Sequence, residues 1–175
     1  MKTKLMMLIK PADEKTGTIA QFDSNGFVFV AELMNCDIND FAEDKEYEVD
    51  VNFFCHHIYG IYKNTKEFQE DNPNMSEESY IPMGAFPPDP EDKDWEPSPI
   101  NYINSVVTEV VDNKTVNAPE NYVLFYGRAG GEKLDQILYY QTIEEKEEVK
   151  PGYIVSGAYW AELRLMKKRR QEIIC

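Results

Sequence analysis

Residues 103–111 (INSVVTEVV), 122–126 (YVLFY), 134–140 (LDQILYY) and 153–166 (YIVSGAYWAELRLM) are four apolar runs set close together, and their spacing decides how the chain is read. Turn-forming spacers separate them. Gly127-Arg128-Ala129-Gly130-Gly131 joins the second run to the third, and Lys150-Pro151-Gly152 introduces the fourth. Short apolar runs bounded by such residues read as strands. In the fourth run Tyr159, Ala161, Leu163 and Leu165 alternate with Trp160, Glu162 and Arg164, giving one face to a core and the other to water. Several strands at this spacing predict a small antiparallel barrel or sandwich.

Working outward, residues 5–9 are a candidate strand, and residues 18–22 and 27–33 flank Asp23-Ser24-Asn25-Gly26. Asn-Gly tolerates positive φ, so this is a hairpin signal. Tyr47, Val49, Val51 and Phe53 alternate with Glu48, Asp50 and Asn52, which predicts a strand. A second strand is expected over residues 54–62, with a bulge or close approach at Gly60. Residues 64–72 predict a short helix capped by Asn64 or Thr65 and ended by Asn72-Pro73, and Ser76 could cap another helical turn. Six prolines between Pro82 and Pro99 exclude helix and central strand there. Ile81, Met83, Phe86 and Trp95 are expected to pin this segment as an ordered loop.

A chain of 175 residues buries roughly 70% of its unfolded surface. With 42% apolar and 13% aromatic residues it is too apolar to be disordered. The formal net charge of −14 opposes phosphate backbones and favours basic partners. The apolar run after Lys4 is short for a signal peptide, and no stretch approaches the ~20 apolar residues of a membrane helix, so a cytoplasmic location and no membrane contact are expected. Cys36, Cys55 and Cys175 are odd in number and far apart, which predicts reduced thiols.

The pattern Ser79-Tyr80-Ile81-Pro82-Met83-Gly84-Ala85-Phe86-Pro87-Pro88, then Ser98-Pro99 before a strand, then the run from Pro151 to Leu165, resembles uncharacterised bacterial proteins with a small OB-like β-barrel. The resemblance covers roughly residues 50–166. It implies an all-β, mainly antiparallel fold: an OB-like small barrel with an N-terminal hairpin, one or two short helices and a proline-rich ordered loop. A single domain is expected over 1–175. Within it lie N-terminal β elements (1–81), the acidic proline-rich loop (82–99), the barrel core (100–166) and a basic tail (167–175).

No constellation with a definite chemistry emerges. In Cys55-His56-His57 neighbours on a strand point to opposite faces, so Cys55 and His57 could share a metal while the two histidines could not without a bulge. A structural or surface role is the simpler reading, and no metal or cofactor is expected. Gly127 to Lys133 lacks the phosphate-loop pattern and is read as a hairpin turn. Asp89, Glu91, Asp92 and Asp94 lack the spacing of a calcium loop. His56, His57, Tyr59, Tyr126, Tyr139 and Trp160 form a candidate ligand face. Arg164, Lys167, Lys168, Arg169 and Arg170 form a candidate anion-binding tail.

The expected function is therefore a non-enzymatic intracellular module whose acidic surface binds another protein, with no catalytic residue assigned. Two alternatives remain: a small-ligand or saccharide binder or hydrolase using the tyrosine- and tryptophan-lined face, and nucleic-acid binding through the basic tail.

Overall fold

The computed structural model describes residues 2–9, 17–24, 26–34, 36–85, 97–116, 122–139 and 148–166. They form a mainly antiparallel β fold with two short helices. The strands are β1 (Lys2–Ile9), β2 (Ile19–Ser24), β3 (Phe27–Leu33), β4 (Glu46–Tyr62), β5 (Ser79–Ile81), β6 (Ile100–Val111), β7 (Tyr122–Ala129), β8 (Glu132–Tyr139) and β9 (Ile154–Leu165). The helices are α1 (Thr65–Asp71) and α2 (Asn113–Val116).

All nine strands belong to one sheet, in the order β1-β2-β3-β9-β4-β8-β7-β6-β5, with additional pairings of β1 to β4 and of β6 to β9. This corrects the OB-like barrel expected over residues 100–166. Strands of that span do not close on themselves as a separate unit: β9 lies between β3 and β4, both from the N-terminal part. The central pair is β4–β9, antiparallel from Val49↔Leu165 to Tyr62↔Ile154. The period of two in β9 correctly marks its inward face, yet it carries no information about which strand lies alongside.

Local signals fare better. Ala129↔Glu132 closes β7–β8 around Gly130 and Gly131, whose φ angles of 58° and 84° are those a two-residue turn of the type I′ kind demands. The β2–β3 hairpin is tighter than its four polar residues suggested. Ser24 pairs with Phe27, so the ladder runs to within two positions of closing. Helix α1 starts as expected: Asn64 Oδ1 accepts from the Glu67 amide (3.0 Å), and Glu67 Oε2 accepts from the Lys63 amide (2.7 Å). Residues 47–62 differ from expectation, because the two strands foreseen there are one strand with bulges between Cys55 and His57 and between Ile58 and Gly60. Ser76 caps no helix; its Oγ accepts from the Glu78 amide (3.2 Å) in a turn leading into β5. Of the proline-rich loop, Met83–Ala85 forms a single 3₁₀ turn, whereas Phe86 and Trp95 lie outside the described residues.

Two apolar cores lie along the central pair. The larger joins Leu5, Phe22, Phe29, Phe41, Val49, Phe53, Tyr159 and Leu163 across β1, β2, β3, β4 and β9. The smaller joins Val107, Phe125, Val149 and Val155, and Cys55 touches both. Each fully buried large apolar side chain contributes about 1.5–3 kcal/mol. Between β3 and β6, where no backbone ladder runs, the buried Asn101 acts as a clasp. Its Nδ2 donates to the Val30 carbonyl (3.1 Å) and the Pro99 carbonyl (3.0 Å), and its Oδ1 accepts from the Tyr80 hydroxyl. Burial pushes the Tyr80 phenol well above its ordinary pKa, so it stays a donor.

Asn101→Ala would orphan the Tyr80 hydroxyl and take the side-chain amide from the Val30 carbonyl, while the Pro99 carbonyl keeps the Ala161 amide (2.8 Å). A loss of about 2–4 kcal/mol is expected, read as a lower urea midpoint with unchanged m-value.

Candidate functional site

The bulges in β4 are what bring side chains to the surface. Cys55 pairs with Tyr159 and His57 with Ala158, so His56 is the extra residue and Cys55 and His57 point to opposite faces. Cys55 turns in against both cores, and burial pushes its thiol up to about 12. His56 and His57 are exposed. The shared Cys55–His57 metal site considered from the sequence is thereby undone, and among the described residues no group of three or more His, Cys, Asp or Glu is arranged to hold a metal ion.

The second bulge leaves Tyr59 as its extra residue, between Ile58↔Gly157 and Gly60↔Ser156. Tyr59 is 53% exposed, its ring 5.1 Å from His57 and 5.6 Å from Tyr102 on β6. The Tyr102 hydroxyl is 3.0 Å from Ser156 Oγ. Beyond this aromatic row the chain turns through Lys63 and Asn64 into α1, which docks by its buried Phe68 edge-on to Tyr62 at 5.3 Å. Asn72 Nδ2 donates to the Tyr62 hydroxyl (3.1 Å) and ties the end of the helix to the strand. Gly60 makes this possible, since a Cβ there would meet the Tyr62 ring at 2.6 Å.

Between α1 and the end of β4 lies a cleft of about 530 Å³ lined by residues 58–62, Glu67, Glu70 and Asp71. Its walls are one aromatic strand end and one acidic helix face. Lys66 approaches Glu70 at 3.9 Å, but both side chains are well exposed, so this i,i+4 pair neutralises little.

The other candidate residues are dispersed. Tyr126 lies on β7 under Lys133, whose Nζ is 4.3 Å from the ring centroid, in a separate cleft with Asp50 and Phe53. Tyr139 is set by its backbone on β8, opposite Tyr122, and its side chain lies outside the described set. Trp160 is on the outer face of β9, its Nε1 donating to Glu32 Oε2 (2.9 Å). Of the six, His57 and Tyr59 touch, and the structure adds Tyr102 to them, while Tyr126 and Trp160 have separate partners. Arg164 is exposed, whereas Lys167, Lys168, Arg169 and Arg170 lie outside the described residues, as do Asp89, Glu91, Asp92 and Asp94. Glu67, Glu70 and Asp71 were not singled out as a site; their i, i+3, i+4 spacing on a short helix after an aromatic strand was the available signal.

Among the described residues, no helix is long and apolar enough to cross a membrane. The Cys55 result has a direct chemical readout. Because the thiolate is the nucleophile, Cys55 should resist iodoacetamide at about pH 8 in the folded protein and react once urea exposes it. Peptide mapping by mass spectrometry checks this, and rapid native labelling of Cys55 contradicts it.

Comparisons of the chain with protein-family models, with curated proteins and with solved structures returned no match. The resemblance to bacterial OB-like barrel proteins is corrected by the sheet topology.

Proposed function

We propose that this chain is a non-enzymatic intracellular protein-binding module that recognises basic side chains on its partner. The observation that carries the reading is the cleft between β4 and α1, where Tyr59 and Tyr62 face Glu67, Glu70 and Asp71. A lysine or arginine stem can lie along aromatic carbon while its charged head meets carboxylates, combining cation–π attraction with ion pairing. The net charge of −14 acts in the same sense, steering a basic partner in and repelling acidic ones. A partner engaging this cleft also meets the exposed Tyr59–His57 ring pair, so shape and charge both contribute to selection.

The test is titration of fluorescein-labelled peptides, one rich in lysine and arginine and one of the same length rich in glutamate, followed by anisotropy. The basic peptide is expected to bind, with affinity falling as salt is raised. Glu70→Gln combined with Asp71→Asn should weaken it about tenfold, and Tyr59→Ala by a similar factor. Equal binding of both peptides, or affinity indifferent to salt and to all three substitutions, rules the reading out.

A further inference from the structure

The contact between β3 and β9 is parallel and short, with only Glu32↔Glu162 and Leu33↔Leu163 in register. It nevertheless seals the β1–β2–β3 hairpins against the central pair on one side. Its backbone is completed by the Met34 amide donating to the Leu163 carbonyl (2.9 Å). One of its two residue pairs therefore sets glutamate directly beside glutamate, where like charges oppose strand association.

The two carboxylates are not equivalent. Both oxygens of Glu32 are engaged as acceptors: Oε1 takes the Gly17 amide (3.1 Å), and Oε2 takes the Trp160 indole N–H (2.9 Å). Two N–H donors on its two oxygens hold the side chain in place, so Glu32 cannot swing away. The approach is close: a Cβ on Gly17 would fall 2.0 Å from Glu32 Oε1. Glu162 is the partner left to adapt. Facing it are Glu32 on β3, Arg164 two residues along β9, and on β4 the uncharged Asn52 in its own register, with Asp50 opposite Arg164. On β8, Asp135 is in register with Asn52. Burial raises the Glu162 carboxyl above the usual glutamate value; Arg164 pulls it down and Glu32 pushes it up further.

We propose that Glu162 is a proton-operated latch on the β3–β9 seam, closed when its carboxyl is neutral and loosened when it ionises beside the fixed Glu32 carboxylate. The sign follows from the direction of the shift. A carboxyl whose folded pKa lies above its unfolded one contributes stability that is fully present below the ordinary glutamate value, and that contribution is lost as pH rises through the folded pKa. Opening is local. The Asn101 clasp to Val30 and the β1–β4 pairing from Lys2↔Glu48 to Lys4↔Glu46 do not depend on Glu162 and keep the hairpins attached. What changes on opening is access to the Trp160 face and the bond from the Trp160 indole to Glu32 that crosses the seam.

Amide hydrogen exchange by NMR on the whole chain, corrected for the intrinsic pH dependence, reads the seam one residue at a time. The Met34 amide should lose protection between about pH 4 and about pH 8. The neighbouring Leu33 amide donates within the hairpin to the Thr18 carbonyl (2.8 Å) and should keep its protection. In Glu162→Gln the Met34 protection is expected to be high and independent of pH. Arg164→Gln removes the group that holds the Glu162 pKa down, and it should move the transition to higher pH. A wild-type Met34 amide insensitive to pH, a Glu162→Gln variant that tracks the wild type, or an Arg164→Gln transition that stays put or moves down would each overturn the latch.

Discussion

The antiparallel pairing of β4 with β9 is the constraint on which the molecule depends. Both strands exceed the usual length, at 17 and 12 residues, and each offers its second edge to two different neighbours. On β4 that edge is taken first by β1 at Glu46–Glu48 and then by β8 at Asn52–Phe54. On β9 it is taken by β6 at Ile154–Trp160 and then by β3 at Glu162–Leu163. The hairpins of both halves are therefore anchored on one ladder, and the two cores sit end to end along it. A change that slipped this pair by one residue would turn the inward row Tyr159, Ala161 and Leu163 outward, emptying the larger core of its β9 side chains.

A pair this long cannot remain regular along its whole length, and where β4 departs from regularity the surface acquires its chemistry. The bulge at His56 keeps Cys55 in the core while sending His57 out, and the bulge at Tyr59 lifts an aromatic ring into solvent beside Tyr102. Two residues before the strand ends, Gly60 lets Tyr62 fold across it and receive α1. The acidic, aromatic cleft follows directly from these irregularities. It sits where a strand ends and a short helix, too brief to be stable alone, is held by one phenylalanine and one asparagine.

Where the two halves meet without a ladder, polar side chains substitute for one. Asn101 spans β3 and β6 with amide bonds, and Glu32 spans the Gly17 segment and β9 with a carboxylate. These joints differ in kind. A buried neutral amide is indifferent to pH, whereas a carboxylate set beside another carries its charge into the joint, so acidity reaches the architecture at the Glu32–Glu162 contact.

Much of the local structure was legible from the residues. Alternation in residues 47–53 and 159–165 marked their inward faces, Gly130-Gly131 specified a tight turn, and Asn64 with Glu67 announced α1, because each of these depends on backbone preferences within a few residues. Glu67, Glu70 and Asp71 were visible as acids but not as a cleft wall, since that required Tyr62 and Phe68 to meet. Of the candidate face, the ring contact of Tyr59 with His57 lies along one strand, whereas its contact with Tyr102 depends on which strand lies alongside, and aromatic composition says nothing about that. By itself the sequence determined strands, turns, one helix cap and a net charge of −14. Tertiary structure alone decided that β4 and β9 pair, that the sheet is shared by both halves rather than closed within the second, and that two bulges divide core from surface in β4. A period of two fixes which face a residue occupies but leaves the partner strand open, and that choice is made by the burial of side chains far apart in the chain.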